Sequence, residues 1–171
     1  MKKITGLPLV YVNAGEVHFS RSPKIIATVL GSCVAAVMHN HEKGLCAVSH
    51  SVLPTDKHNS SRKNSDNLRF VDHSIRNMLD FFNKNKVPKN KIVVKLFGGA
   101  EQLGYDKTRR TSIGKQNVNK AIELIEKEGL YISSMDVGGN AGRKIYVFSH
   151  NGEVLLSRLG SIKESLEKSY A

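Results

Sequence analysis

Short runs rich in β-branched residues alternate along this chain with stripes of helical period, and the interleaving predicts an α/β (α+β) fold. At least one hairpin signal accompanies them. The two observations together favour a mixed-sheet layered sandwich with flanking helices over a regular parallel sheet. With 171 residues, 40% of them hydrophobic, the chain can bury one sizeable core and is short for two, so residues 1–171 are read as a single domain.

The elements follow in order. Residues 24–30 and 34–38 are apolar and β-branched, and Gly31-Ser32-Cys33 interrupts them, which predicts two strands meeting at a tight bend. Residues 45–53 (LCAVSHSVL) form a third strand, set off from the second by the polar turn 39–44 and ended by Pro54. The stretch 55–67 is polar and aperiodic, and reads as an exposed loop. Val71, Ile75, Met78, Leu79 and Phe82 recur at three- and four-residue spacing, so 68–82 is an amphipathic helix ending before Val87-Pro88.

Residues 92–97 read as a buried strand stopped by Gly98-Gly99, and Val118, Ile122 and Ile125 stripe a second helix that Gly129 closes. A strand over 130–135 follows. Residues 143–149 and 153–158 flank Asn151-Gly152, a pair that tolerates the positive φ angles of a type I′ hairpin turn. Ser161 and Glu164 have the spacing of a capping box opening a short terminal helix.

Composition narrows the function. No apolar run approaches the roughly 20 residues of a membrane-spanning helix, and the opening residues lack a signal-peptide pattern, so a cytoplasmic protein without membrane insertion is expected. Two cysteines without CxxC spacing make no disulfide framework and read as reduced thiols. A net charge of +11 favours an acidic partner. Aromatics are only 6% of the chain and no RNP-like or zinc-finger pattern is present, which argues against nucleic acid.

Candidate chemistry gathers between residues 28 and 50. A side chain following the Gly31-Ser32 bend is held outward at a strand end, where neighbouring backbone N–H groups can face a bound oxygen. Cys33 there reads either as a nucleophile with an oxyanion site at Gly31 and Ser32, or as a small buried hydrophobe. Strand alternation puts His50 on the face opposite Ser49 and Ser51. It reads either as a structural histidine or as the base for Cys33, and a histidine within reach draws a thiol from about 8.5 toward 3.5–7.5.

Cys33, His39, His41, Cys46 and His50 are ligand types for zinc, but their spacing lacks the paired clamps of a zinc site, and no metal is expected. Cys46 reads as packing, and His39 and His41 as parts of a solvated turn. The glycine clusters 98–100 and 138–142 match no phosphate-binding fingerprint; they read as tight turns, or as walls around the Cys33 site.

Taken in order, TVLGSCVAAV (28–37), AVSHSVLP (47–54), KLFGGA (95–100), IGKQNV (113–118) and DVGGNAGRK (136–144) resemble the chemoreceptor glutamine deamidase family, CheD. The resemblance implies a cysteine-hydrolase-like sandwich similar in its active site to glutamine-deamidating toxins, with no cofactor. It implies that Cys33 is the nucleophile, His50 the general base, and a threonine upstream of the cysteine the third member. Thr28 is the nearest candidate, with Ala27 the alternative register.

One departure is Phe70 in Arg69-Phe70-Val71-Asp72, where the family carries tyrosine, so a phenolic hydroxyl is missing. Asp72 reads as a solvated carboxylate early in a helix, or as a contact to substrate. The implied substrates are glutamines on chemoreceptor helices, and the implied further partner is a CheC-type phosphatase. Hydrolysis of receptor methyl esters belongs to the same chemistry. Two other readings stand beside the enzyme: a non-catalytic adaptor binding receptors or the phosphatase, and a basic nucleic-acid-binding domain.

Overall fold

The computed structural model describes residues 6–56, 67–101 and 111–159. Its elements run β1 (Leu9–Tyr11), β2 (Val17–Ser20), β3 (Ile25–Leu30), β4 (Val34–Asn40), β5 (Leu45–Ser49), α1 (Val71–Lys84), β6 (Val93–Gly98), α2 (Ile113–Lys127), β7 (Ile132–Val137), β8 (Arg143–Phe148) and β9 (Val154–Arg158). One sheet has the order β1-β3-β8-β9 and the other β2-β5-β4-β6-β7, each mixing parallel and antiparallel pairs. Among the described residues, two α-helices with two mixed sheets make the α+β sandwich that the sequence predicts. The proposed terminal helix opening at Ser161 and most of the polar stretch 55–67 lie outside the described residues.

Alternation along the central strands explains the layering. Val34, Ala36 and Met38 of β4, Leu45 and Ala47 of β5, and Val94 and Leu96 of β6 share a core with α1 and α2. The residues between them, Ala35, Val37, Cys46, Val48 and Phe97, meet Ile26, Leu30, Ile145 and Val147 of the four-stranded sheet. The five-stranded sheet is therefore covered on both faces, by helices on one side and by the second sheet on the other. That is why VAAVM in β4 is continuously apolar and not alternating.

Several local expectations are corrected. β1 and β2 precede the first strand expected above, and supply a parallel edge to one sheet and an antiparallel edge to the other. β4 runs on through His39 and Asn40, both buried, so the turn begins at His41 and His39 is no part of a solvated loop. Asp72 is likewise buried in the first turn of α1, with the His73 N–H donating to its Oδ1 at 2.9 Å.

The β8–β9 hairpin exists but not by a type I′ turn, which needs positive φ at both central residues. Gly152 has φ +70°, while Lys86 is the one non-glycine with positive φ among the described residues. The connection is a four-residue loop in which the Gly152 N–H donates to Phe148 O at 2.8 Å and the Phe148 N–H to Glu153 O at 2.8 Å. Gly152 closes it because a Cβ there would stand 2.8 Å from the His39 ring.

Candidate active site

The Gly31–Cys33 bend carries the chain from one sheet to the other, and neighbouring elements hold each of its carbonyls. The Ala100 N–H donates to Gly31 O at 2.9 Å, Asn117 Nδ2 to Ser32 O at 3.0 Å, and the Gly99 N–H to Cys33 O at 2.8 Å. Gly98 permits this approach: a Cβ at its position would lie 2.2 Å from Cys33 O, and its φ is +107°. The carbonyls thus face the protein. Among the described residues the N–H groups of Ser32 and Cys33 donate to no backbone carbonyl, and the Cys33 side chain is half-buried at the inter-sheet core.

His50 follows β5 directly. Its N–H donates to Glu16 O at 2.9 Å and its carbonyl accepts from the Gly15 N–H at 2.8 Å, so the turn between β1 and β2 fixes its backbone. Ser51 forms an antiparallel bridge with Val34, which sets His50 opposite Ala35. Ala35 faces the second sheet, and so does Cys33 two residues earlier. Cys33 and His50 are therefore diagonal neighbours on one sheet face, a relation that spans about 7–8 Å and brings long side chains within reach.

Across the sandwich, Thr28 Oγ1 lies 2.8 Å from His50 Nδ1 and donates to Val12 O at 2.7 Å. A hydroxyl has one proton, and that proton is committed to the carbonyl, so Oγ1 accepts from Nδ1–H. Nδ1 also stands 3.4 Å from Val12 O, a second acceptor and never a donor. The neutral imidazole consequently carries its proton on Nδ1 and leaves the Nε2 lone pair for chemistry. Ala27, the alternative register, is on the opposite face of β3, between Tyr11 and Tyr146, and has no group to offer.

Burial sets the charge state of the pair. It pushes the Cys33 thiol above its ordinary value, against a smaller opposing contribution from the residue's own backbone N–H. It holds His50 below the ordinary histidine value, with the Val12 carbonyl and then Glu16 acting the other way. The expected depression of the cysteine is thus reversed in the free protein. A neutral thiol and a neutral imidazole on one sheet face suit proton transfer during attack on a carbonyl, and N–H groups that no backbone carbonyl takes among the described residues can serve an oxyanion.

The remaining candidates separate from this site. Cys46 is fully buried between the sheets, where desolvation pushes its thiol up to about 12. His39 and His41 have ring centroids 6.2 Å apart, and among the described residues no three His, Cys, Asp or Glu side chains gather to hold a metal ion. The Gly138–Gly142 loop joins the wall of the bend: the Gly138 N–H donates to Gly98 O at 2.9 Å and Gly139 O accepts from the Glu101 N–H at 2.7 Å. Buried Arg143 braces it, with Nε on Asp136 Oδ1 at 2.6 Å and Nη2 on Gly138 O at 2.7 Å. A cavity of about 520 Å³ on the outer face of the four-stranded sheet is lined by Leu9, Ile25, Tyr146 and Leu155 among others, and by none of Cys33, His50 or Thr28.

Two contributors escape a reading for chemistry. Val12 offers only a carbonyl, although the run LVYV before the turn residues Asn13-Ala14-Gly15 is itself a strand signal. Asn117 is a polar residue on the buried stripe of α2, one turn from Ala121, and a break in an apolar stripe is a detectable anomaly.

No helix among the described residues is long and apolar enough to cross a membrane. Residues 52–158 match the model of the family described as CheD chemotactic sensory transduction. The chain is 40% identical over 153 residues to a Geobacter sulfurreducens protein named "probable chemoreceptor glutamine deamidase CheD 2", covering 90% of this chain and 91% of the relative. Proteins named "probable chemoreceptor glutamine deamidase CheD" from Maridesulfovibrio salexigens and Methanococcus maripaludis are 37% and 35% identical, each covering 88% of this chain and 91% and 94% of their own lengths.

Proposed function

The chain belongs to the CheD family, and from that premise we propose that it deamidates glutamine side chains of chemotaxis receptors by a cysteine–histidine mechanism. The observation that carries the mechanism is the Thr28–His50 contact of 2.8 Å, because with Thr28 committed to Val12 O it leaves Nε2 as the basic nitrogen on the face that Cys33 shares.

His50 Nε2 takes the thiol proton as Cys33 Sγ attacks the side-chain carbonyl carbon of glutamine. The N–H groups of Ser32 and Cys33 receive the negative oxygen, with Gly31 giving the bend its turn. The imidazolium returns its proton to the departing nitrogen, and ammonia leaves a thioester. Water, deprotonated by the same Nε2, attacks the thioester; the thiol leaves with that proton and glutamate remains. Thr28 and Val12 O keep the ring oriented throughout, and the sequence of steps needs no metal or organic cofactor. The same attack on a methyl ester expels methanol, so receptor methyl-glutamates are a second substrate.

The reaction takes place in the cytoplasm, where the positive net charge favours acidic receptor helices, and the surface used for receptors also engages a CheC-type phosphatase. The test is peptide mass spectrometry of receptor cytoplasmic domains incubated with the parent protein and with Cys33→Ala. Conversion of specific glutamines to glutamate by the parent alone is the expected result. Binding without conversion on several receptors would leave an adaptor as the better account.

A further inference from the structure

We infer that Asn117 is a positioning residue that aims the oxyanion-binding amides of the Cys33 bend and fixes that bend to the segment carrying His50. The inference rests on the cysteine–histidine reading above.

Both amide protons of Asn117 are in use: Nδ2 donates to Ser32 O at 3.0 Å and to Val52 O at 2.9 Å. Ser32 O and the Cys33 N–H belong to one peptide unit, and in a trans peptide these two groups point in opposite directions. Anchoring the carbonyl inward on Asn117 therefore turns the Cys33 N–H outward. The next unit back behaves alike, because Gly31 O is held by the Ala100 N–H at 2.9 Å, which turns the Ser32 N–H outward. Each anchored carbonyl also polarises its own peptide and makes its N–H a better donor.

The second bond reaches the other half of the site. Val52 is opposite Cys33 in the bridge that pairs Val34 with Ser51, and it is two residues beyond His50. One planar side chain thus ties the nucleophile bend to the base segment, where His50 itself is held separately by Gly15 and Glu16. Asn117 is fully buried, and among the described residues its Oδ1 has no partner. For packing alone, a hydrocarbon of the same size would suit α2 better on both helix propensity and desolvation. Both of its protons are engaged, so its contribution on this buried stripe lies in the donors.

The test compares the parent with Asn117→Ala and Asn117→Leu, the latter keeping the size and removing both donors. Three quantities are read: kcat and KM for deamidation of a receptor domain, and the rate of Cys33 alkylation by iodoacetamide, a displacement that develops no oxyanion. Loss of kcat by about 10²–10³ is expected, the range seen when an oxyanion donor is removed. KM and alkylation should stay within about threefold of the parent, since binding and the thiol itself are untouched.

An unchanged kcat in an active parent overturns this inference alone, as does a parallel fall in kcat and alkylation, which marks collapse of the bend. A parent that converts no glutamine overturns the deamidase reading and this inference with it. If neither variant folds, the native protein decides, with Cys33 capturing a peptide aldehyde that mimics glutamine. The amide protons of Ser32 and Cys33 should then move downfield while both Asn117 side-chain protons resist exchange; free exchange of those protons overturns the assignment.

Discussion

Replacing Thr28 by valine keeps the shape of a residue only 2% exposed and removes one hydroxyl with two partners, His50 Nδ1 at 2.8 Å and Val12 O at 2.7 Å. Each buried hydrogen bond is worth about 0.5–1.5 kcal/mol, so stability should fall by about 1–3 kcal/mol. For activity, the ring loses its best acceptor and keeps only Val12 O at 3.4 Å, which no longer fixes where Nε2 points. If the loss of one bond of this strength is felt in the transition state, kcat drops about tenfold, and more if the ring swings away.

The acceptor favours the charged ring more than the neutral one, so its removal lowers the His50 pKa further and moves the acid limb of the kcat profile to lower pH. The assay is kcat across pH for Thr28→Val and Thr28→Ser, read beside thermal melts. Serine keeps the hydroxyl and should recover most of kcat. A valine variant within about twofold of the parent, below the effect of one hydrogen bond, would refute the orienting role. Equal losses in valine and serine variants would assign the residue to packing.

Three further outcomes are expected. Burial is the leading cause of depressed values at His18, His39 and His50, so below the ordinary value of 6.5 the unfolded chain takes up protons that the folded one refuses. The stability they contribute is complete above 6.5 and drains as pH falls through the folded values, so melting temperature should decline on acidification from that point; a melting temperature that rises there contradicts the burial argument. Gly98→Ala drives a Cβ against Cys33 O at 2.2 Å with φ at +107°, and should cost about 2 kcal/mol or more together with most of the activity, measured by denaturant titration and ammonia release. Cys46→Ala should leave kcat intact at a cost of about 1 kcal/mol, and alkylation of the folded protein should label Cys33 and spare Cys46; peptide mapping checks both.

The site was partly legible because its parts are short and local. The Gly31-Ser32-Cys33 bend announces itself by composition, and alternation puts His50 on the face away from Ser49 and Ser51, as the structure has it: Ser49 Oγ accepts from the Ala36 N–H at 3.0 Å and Ser51 Oγ meets Ser74 Oγ of α1 at 2.6 Å. Thr28 against Ala27 was undecidable in one dimension, since neighbours on a strand differ only in the face they take and the choice depends on which sheet lies across. Asn117 had a signal, a polar residue on an apolar stripe, but its partners Ser32 and Val52 are 85 and 65 residues away.

Sequence alone determined what is periodic or adjacent: which segments from residue 24 onward are strands or helices, where the chain must turn, and which thiol follows a bend. Periodicity reports a face without saying what covers it. Tertiary structure alone decided that β3 and β4 belong to different sheets, that a threonine in one sheet meets a histidine in the other, and that the proton of that histidine is on Nδ1. It also reversed the expected charge state of Cys33, because desolvation depends on every atom packed around a group and no local pattern encodes that sum.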